Sequence, residues 1–175
     1  NESAYPDVEE FWSDITAAYR AEIADLVKAG LQYLQIDDVS FACLCDEGIR
    51  AQVKRDGEDP AKLPRKYAQV ISSILAERPS SLGVTMHTCR GNHASMWMAE
   101  GGYDAVAEAV FQTGVDGFFL EYDTARAGGF GPLRFVPKGK KVVLGLVSTK
   151  KPQLEDKGAL KRRVDVKMRT DLVEK

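Results

Sequence analysis

The chain has 175 residues, enough for one domain or for part of a larger one. Its apolar share of 44% is that of an ordinary globular core. A formal net charge of −2 excludes a general attraction to nucleic acid or anionic membrane, and no run approaches the ~18 apolar residues of a membrane span. The charge is lopsided: residues 1–133 carry 11 basic and 21 acidic side chains, net −10, and residues 134–175 carry 13 and 5, net +8. That split suits two solvated faces, and the basic end could also attract a polyanionic tail. Three cysteines, Cys43, Cys45 and Cys89, without a signal peptide point to a reducing, cytoplasmic setting. The opening Asn1-Glu2-Ser3-Ala4-Tyr5-Pro6 reads as an interior cut from a longer protein.

In chain order, Asp7 is a helix cap with Glu10 three residues on and Pro6 just before. Phe11, Trp12, Ile15, Tyr19, Ile23, Leu26 and Val27 form a stripe of helical period, and Gly30 supplies the stop. A short apolar run, Leu31 to Ile36, ends at Asp37-Asp38. A second helix starts between Asp59 and Pro64 and runs to Arg78, before Pro79. The run Leu82 to Met86 ends at His87. A third helix covers Tyr103 to Thr113, closed by Gly114, and the strand Gly117 to Leu120 ends at Glu121. The last strand, Lys141 to Val147, ends at Ser148-Thr149, and a charged helix follows from about Glu155.

Two of these units share a layout. Gly30 and Gly114 each end a helix, precede an apolar strand, and are followed seven residues later by an acid, Asp37 or Glu121. This is an αβ repeat, as expected of parallel strands joined by crossover helices. The strands are apolar throughout, as buried parallel strands are. Asp37, His87, Glu121 and Ser148 each close a different strand, and in α/β folds the carboxyl ends of strands are where sites lie. Four strands are half a barrel, and a whole barrel takes about 250 residues. The expected architecture is therefore α/β: the C-terminal half of a (β/α)8 barrel, a single partial domain over residues 1–175.

His87-Thr88-Cys89 is the central motif. In extended chain, residues i and i+2 face the same side, so the imidazole and the thiol project together. A carboxylate from a neighbouring strand, Glu121, would make three ligands with an open position, the pattern of a working zinc site. A core histidine beside a buried cysteine is the plainer alternative. Arg90-Gly91-Asn92 suits a tight turn or the orientation of a carboxylate. Asp37 and Asp38 could bind a substrate ammonium or cap a helix. Cys43-x-Cys45 is a weak metal half-site and fits free cysteines better. His93, Trp97 and Met98 fit packing, and Asp123 could support Glu121. Gly128-Gly129-Phe130-Gly131-Pro132 reads as a flexible loop, with no helix start behind it to bind phosphate.

Gln35-Ile36-Asp37-Asp38, His87-Thr88-Cys89-Arg90-Gly91-Asn92, Glu100-Gly101-Gly102-Tyr103 and Phe119-Leu120-Glu121-Tyr122-Asp123 together resemble the cobalamin-independent methionine synthase family, in particular its shorter single-barrel members. The likeness extends from about Tyr5 to Val164. It implies a (β/α)8 barrel whose zinc binds the thiol of homocysteine, which takes a methyl group from methyltetrahydrofolate to give methionine. Under this resemblance His87, Cys89 and Glu121 are zinc ligands, and Asp37 stands where the homocysteine amino group binds.

The chain departs from the family's pattern in three ways. The family's remaining zinc ligand is a cysteine beyond the last strand, and no cysteine follows Cys89 here. The long enzymes carry a histidine acid on the last strand, where this sequence has Val147-Ser148-Thr149-Lys150. The first half of the barrel has no counterpart in these residues. Other zinc-dependent thiol alkyltransferases, such as the epoxyalkane–coenzyme M transferases, share the same logic. A different class of reading is a non-catalytic half-barrel whose open edges self-assemble into a homo-oligomer.

Overall fold

The computed structural model describes residues 4–92 and 94–173. Helix α1 spans Val8–Lys28 and starts where the sequence places it: Asp7 is the cap, and its carboxylate accepts the Glu9 N–H at 2.8 Å. Its end is a Schellman turn. Gly30, at φ +98°, donates to Val27 O at 2.9 Å, and Leu31 donates to Leu26 O at 3.0 Å.

Strand β1 (Tyr33–Asp38) follows, then the one-turn helix α2 (Ser40–Cys43) and the helix α3 (Glu47–Arg55). Neither helix has a sequence stripe that announces it. Asp38 starts α2 by accepting the Phe41 N–H at 2.9 Å, and Asp46 caps α3. Helix α4 (Leu63–Leu75) ends three residues short of the expected Arg78, because Arg78 turns back to hold the base of the sheet.

Strand β2 (Gly83–Thr88) comes next. The expected helix from Tyr103 to Thr113 is instead a 3-10 turn, Tyr103–Ala105, and a single α turn, α5 (Ala107–Val110). The break has a cause: Tyr103 is fully buried and bonded to Thr88, so the chain must enter tightly before it can wind. Strand β3 is Gly117–Glu121. The glycine-rich segment expected to be a flexible loop is exposed at Gly128 and Gly129 but anchored at its end: Phe130 lies against Tyr122 at 4.8 Å, and a 3-10 turn, Gly131–Phe135, buries Pro132 and Leu133. Strand β4 (Lys141–Gly145) and helix α6 (Lys157–Val173) complete the described order.

The four strands are parallel and lie in chain order, β1-β2-β3-β4. A doubly wound sheet reverses its order and carries helices on both faces; this one does neither. Leu34, Ile36, Val84, Met86, Phe118, Leu120, Val142 and Leu144 pack in one core with residues of α4 and α5. Each fully buried chain of this type contributes about 1.5–3 kcal/mol. By register the opposite face carries Gln35, Thr85, Gly117 and Lys141 in one row, and Asp37, His87, Phe119 and Val143 in the next. That face is uncovered enough to leave Tyr33 52% and Val143 46% exposed. Helices on one side and mixed side chains on the other is the layout of a (β/α)8 barrel wall, here a half-barrel of four staves. An apolar groove of about 470 Å³ runs along edge strand β1 between α1 and α4, lined by Trp12, Tyr19, Leu34 and Tyr67 among others. No described helix is long and apolar enough to cross a membrane.

Candidate metal centre

The register sets the geometry. Asp37 on β1 pairs directly with His87 on β2, and His87 pairs with Phe119 on β3. Glu121 lies two residues beyond Phe119 and therefore on the same face, one level nearer the rim. Cys89 is two residues beyond His87, and its N–H extends the ladder by donating to Asp38 O at 2.7 Å. The uncovered face thus brings Asp37, His87, Cys89 and Glu121 to one corner of the rim.

One ligand atom each from Asp37, His87 and Cys89 lies within 4.8 Å of the other two. Glu121, expected as a ligand, stands outside that trio and touches only its imidazole: its Oε1 is 3.4 Å from His87 Nε2. The other ring nitrogen, Nδ1, is 2.7 Å from Asp37 Oδ1. These two distances say different things. The shorter one is a hydrogen bond, with Nδ1–H donating to the carboxylate. The longer one matches two donors around one zinc, which at bond lengths of 2.0–2.3 Å lie roughly 3.5 Å apart.

With its proton on Nδ1, His87 turns a lone pair on Nε2 toward a carboxylate. That contact requires a positive charge, either a proton or a metal ion. The Glu121 carboxylate, aided by Asp37, raises the His87 pKa against the opposing effect of burial. Burial alone would raise Glu121. The His87 imidazole and hydrogen bonds from the Arg90 N–H and Arg126 outweigh it and bring the carboxyl down to about 2. The nitrogen, sulfur and oxygen donors present are those zinc accepts, and a carboxylate behind the imidazole is a common support for such a ligand.

The turn after Cys89 shapes the pocket. Gly91 has φ +84°, and a Cβ there would lie 2.9 Å from Met98 Cβ. Its N–H points at Cys89 Sγ at 3.4 Å. Arg90 gives its N–H to Glu121 Oε1 at 3.2 Å, while its carbonyl accepts Met98 N–H at 2.8 Å. The Arg90 guanidinium is buried and stacks on Tyr103, 4.5 Å from the ring centroid. Gly101, at φ +102°, passes so close to Cys45 that a Cβ would sit 2.2 Å from its carbonyl oxygen. This passage delivers Tyr103 beneath the sheet, where its hydroxyl accepts the Glu121 N–H at 3.1 Å.

Of the other residues singled out, Ser148, which follows β4, donates to Asp123 Oδ2 at 3.0 Å. Asp123 in turn accepts from Arg126 at 2.9 Å, and Arg126 also reaches Glu121 Oε2 at 3.3 Å. Trp97 stacks on Arg126 at 4.9 Å. Cys43 and Cys45 are free; burial raises both thiols, Cys45 to about 11. His93 lies outside the described residues. Sequence reasoning missed Arg126 and the part played by Tyr103. The i,i+3 spacing of Asp123 and Arg126 was the available signal for the first.

No protein-family model matches the chain. It is 45% identical over 163 residues to the uncharacterized protein YxjH of Bacillus subtilis, and 44% identical over 161 residues to YxjG of the same organism. These alignments take in 92% and 91% of this chain and 43% of each relative, so the chain spans under half the length of the curated relatives it matches. Among solved structures, a candidate vitamin-B12 independent methionine synthase from Listeria monocytogenes superposes with a TM-score of 0.70 at 33% identity, over 91% of this chain and 44% of that one. In sequence and in fold, over nine-tenths of its length, this chain is similar to a protein assigned to the cobalamin-independent methionine synthases, the family its strand-end motifs resemble.

Proposed function

We propose that the chain is part of a zinc-dependent methyltransferase that moves a methyl group from methyltetrahydrofolate to the thiol of homocysteine, giving methionine. The observation that supports this reading is the His87 imidazole held between two carboxylates, with Nε2 at 3.4 Å from Glu121 and, on its other side, Cys89 and Asp37 grouped with it. The likeness to the Listeria protein supports the substrates. His87, Cys89 and Glu121 are the residues that would hold the zinc. Zinc bound there lowers the pKa of an incoming thiol and keeps it as thiolate at neutral pH.

The chain's own residues do the rest of the positioning. Asp37 fixes the imidazole through Oδ1, and its side chain is 64% exposed, so its other oxygen is free to receive a substrate ammonium. The Gly91 N–H steadies the Cys89 sulfur. Residues 1–175 form a single partial-barrel domain in this reading. The uncovered sheet face is where further strands of the whole protein, or of a second copy, complete the enclosure.

The test is a methyl-transfer assay with the full-length protein, supplied with zinc and methyltetrahydrofolate, comparing homocysteine with coenzyme M. Methionine formation that is lost in Cys89→Ala is the expected result. Alkylation of coenzyme M by an epoxide, with no transfer to homocysteine, would replace this reading with that of another zinc-dependent thiol alkyltransferase.

A further inference from the structure

Glu121 is a long side chain, and nothing in a strand end by itself decides which way its carboxylate turns. Three groups decide it here. The Arg90 N–H and His87 Nε2 face Oε1, at 3.2 and 3.4 Å. Oε2 is taken from behind by Arg126 Nη2 at 3.3 Å. That guanidinium is itself fixed. Its side chain is only 5% exposed, Nη2 also reaches Asp123 Oδ1 at 2.9 Å, Nη1 reaches Ala99 O at 3.4 Å, and the Trp97 ring covers it at 4.9 Å. The backbone of Arg126 is tied as well, its carbonyl accepting the Gly101 N–H at 2.8 Å.

From this we infer that Arg126 is a positioning residue for the metal centre: it occupies Glu121 Oε2 and so presents Oε1 alone toward His87 and the ion. The inference rests on the metal reading above. Two consequences follow from the geometry. The carboxylate is ordered before the ion arrives, so less side-chain freedom is lost on binding. A cation behind it draws off electron density and favours a single-oxygen ligand, which leaves more of the metal's charge for a substrate thiol. Arg90 cannot substitute, because it reaches Glu121 through its backbone N–H while its guanidinium lies on Tyr103. The Trp97 ring serves as a lid on the clamp, and that accounts for an aromatic left 40% exposed beside the rim.

The experiment measures zinc affinity by competition with a chromophoric chelator, and the visible spectrum of the cobalt-loaded protein. The full chain is compared as wild type, Arg126→Gln, Arg126→Lys, Trp97→Ala and Trp97→Phe. Removing a group that orients a metal ligand typically lowers affinity about 10–100-fold, the result expected for Arg126→Gln, with altered cobalt bands. Arg126→Lys restores much of the affinity, since an ammonium can still take Oε2. Trp97→Ala, at an exposed site that folding tolerates, costs several-fold, and Trp97→Phe less. Metal-free thermal unfolding of Trp97→Ala matches that of wild type. A purely structural Arg126 would instead lower the unfolding temperature of all the Arg126 and Trp97→Ala variants while leaving zinc affinity and the cobalt spectrum in place, and that result overturns the inference. Should Arg126→Gln fail to fold, unchanged zinc affinity in Trp97→Ala overturns it alone. A wild-type chain without zinc affinity overturns the metal reading itself, so the two failures are told apart.

Discussion

The two ends of this sheet are built on opposite plans. At the amino end, Arg78 and Asp116 close on each other through two bonds of 2.8 Å. Asp116 also accepts the Val84 N–H at 2.8 Å, and Arg78 takes the carbonyls of Leu82 and Gly114. Opposite charges meet there, and both oxygens of Asp116 are engaged. At the carboxyl end, acids face one imidazole from both sides, and Ala94 and Ser95 sit at positive φ, 49° and 63°, in the segment that follows Cys89. The Arg90 guanidinium is buried without a hydrogen-bond partner among the described residues. At the carboxyl end Arg126 offsets Glu121 and Asp123, but Asp37, 64% exposed, keeps a carboxylate oxygen open to a ligand. The comparison teaches where to look: the base closes its own charges, and the carboxyl rim, where barrels carry their sites, is the end that the proposed metal centre uses.

That contrast breaks if rim substitutions cost folding and base substitutions cost metal. The largest expected effect is from Cys89→Ala: zinc affinity falls by about 100-fold or more, with metal-free unfolding little changed, by chelator competition and calorimetry. Next is Asp37→Asn. Loss of the carboxylate behind the imidazole lowers zinc affinity about 10-fold, read by the same competition. At the base, Asp116→Asn costs about 1–2 kcal/mol of stability in urea unfolding, discounted for the exposure of the pair, and leaves zinc affinity untouched.

The smallest effect is a pH dependence of the same pair. Arg78 holds Asp116 at about 2, against 3.8 for a free carboxyl. A depressed carboxyl contributes fully above its unfolded pKa and loses that contribution as pH falls through the folded one. The stability gap between wild type and Asp116→Asn is therefore constant above about pH 5 and narrows toward about pH 2. A gap that widens on acidification would contradict the assignment.

The strands and the polar residue that ends each one were legible because both follow from short-range pattern. An apolar run after a helix-stopping glycine reads as a buried parallel strand; Asp37 and His87 are last but one in β1 and β2 and Glu121 closes β3, whereas β4 stops at Gly145, short of the expected Val147 and Ser148. The face shared by His87 and Cys89 followed from the two-residue period of extended chain. What stayed hidden depends on contacts far apart in sequence. Tyr103 breaks its own helix because it must reach Thr88, and no local pattern encodes that. Asp37 was legible as a rim acid, but its bond to Nδ1 depends on the parallel register of β1 with β2. The helix α3 is short and largely exposed, and its apolar side is only Ile49 and Val53, too brief a pattern to read as a stripe.

The central claim is that His87, Cys89 and Glu121 converge on one cation, and X-ray absorption at the zinc edge of the metal-loaded chain tests it most directly. The account predicts a shell with one sulfur at about 2.3 Å and nitrogen or oxygen neighbours, including an imidazole, at about 2.0–2.1 Å. A shell of oxygens alone, with neither sulfur nor imidazole scattering, would contradict it.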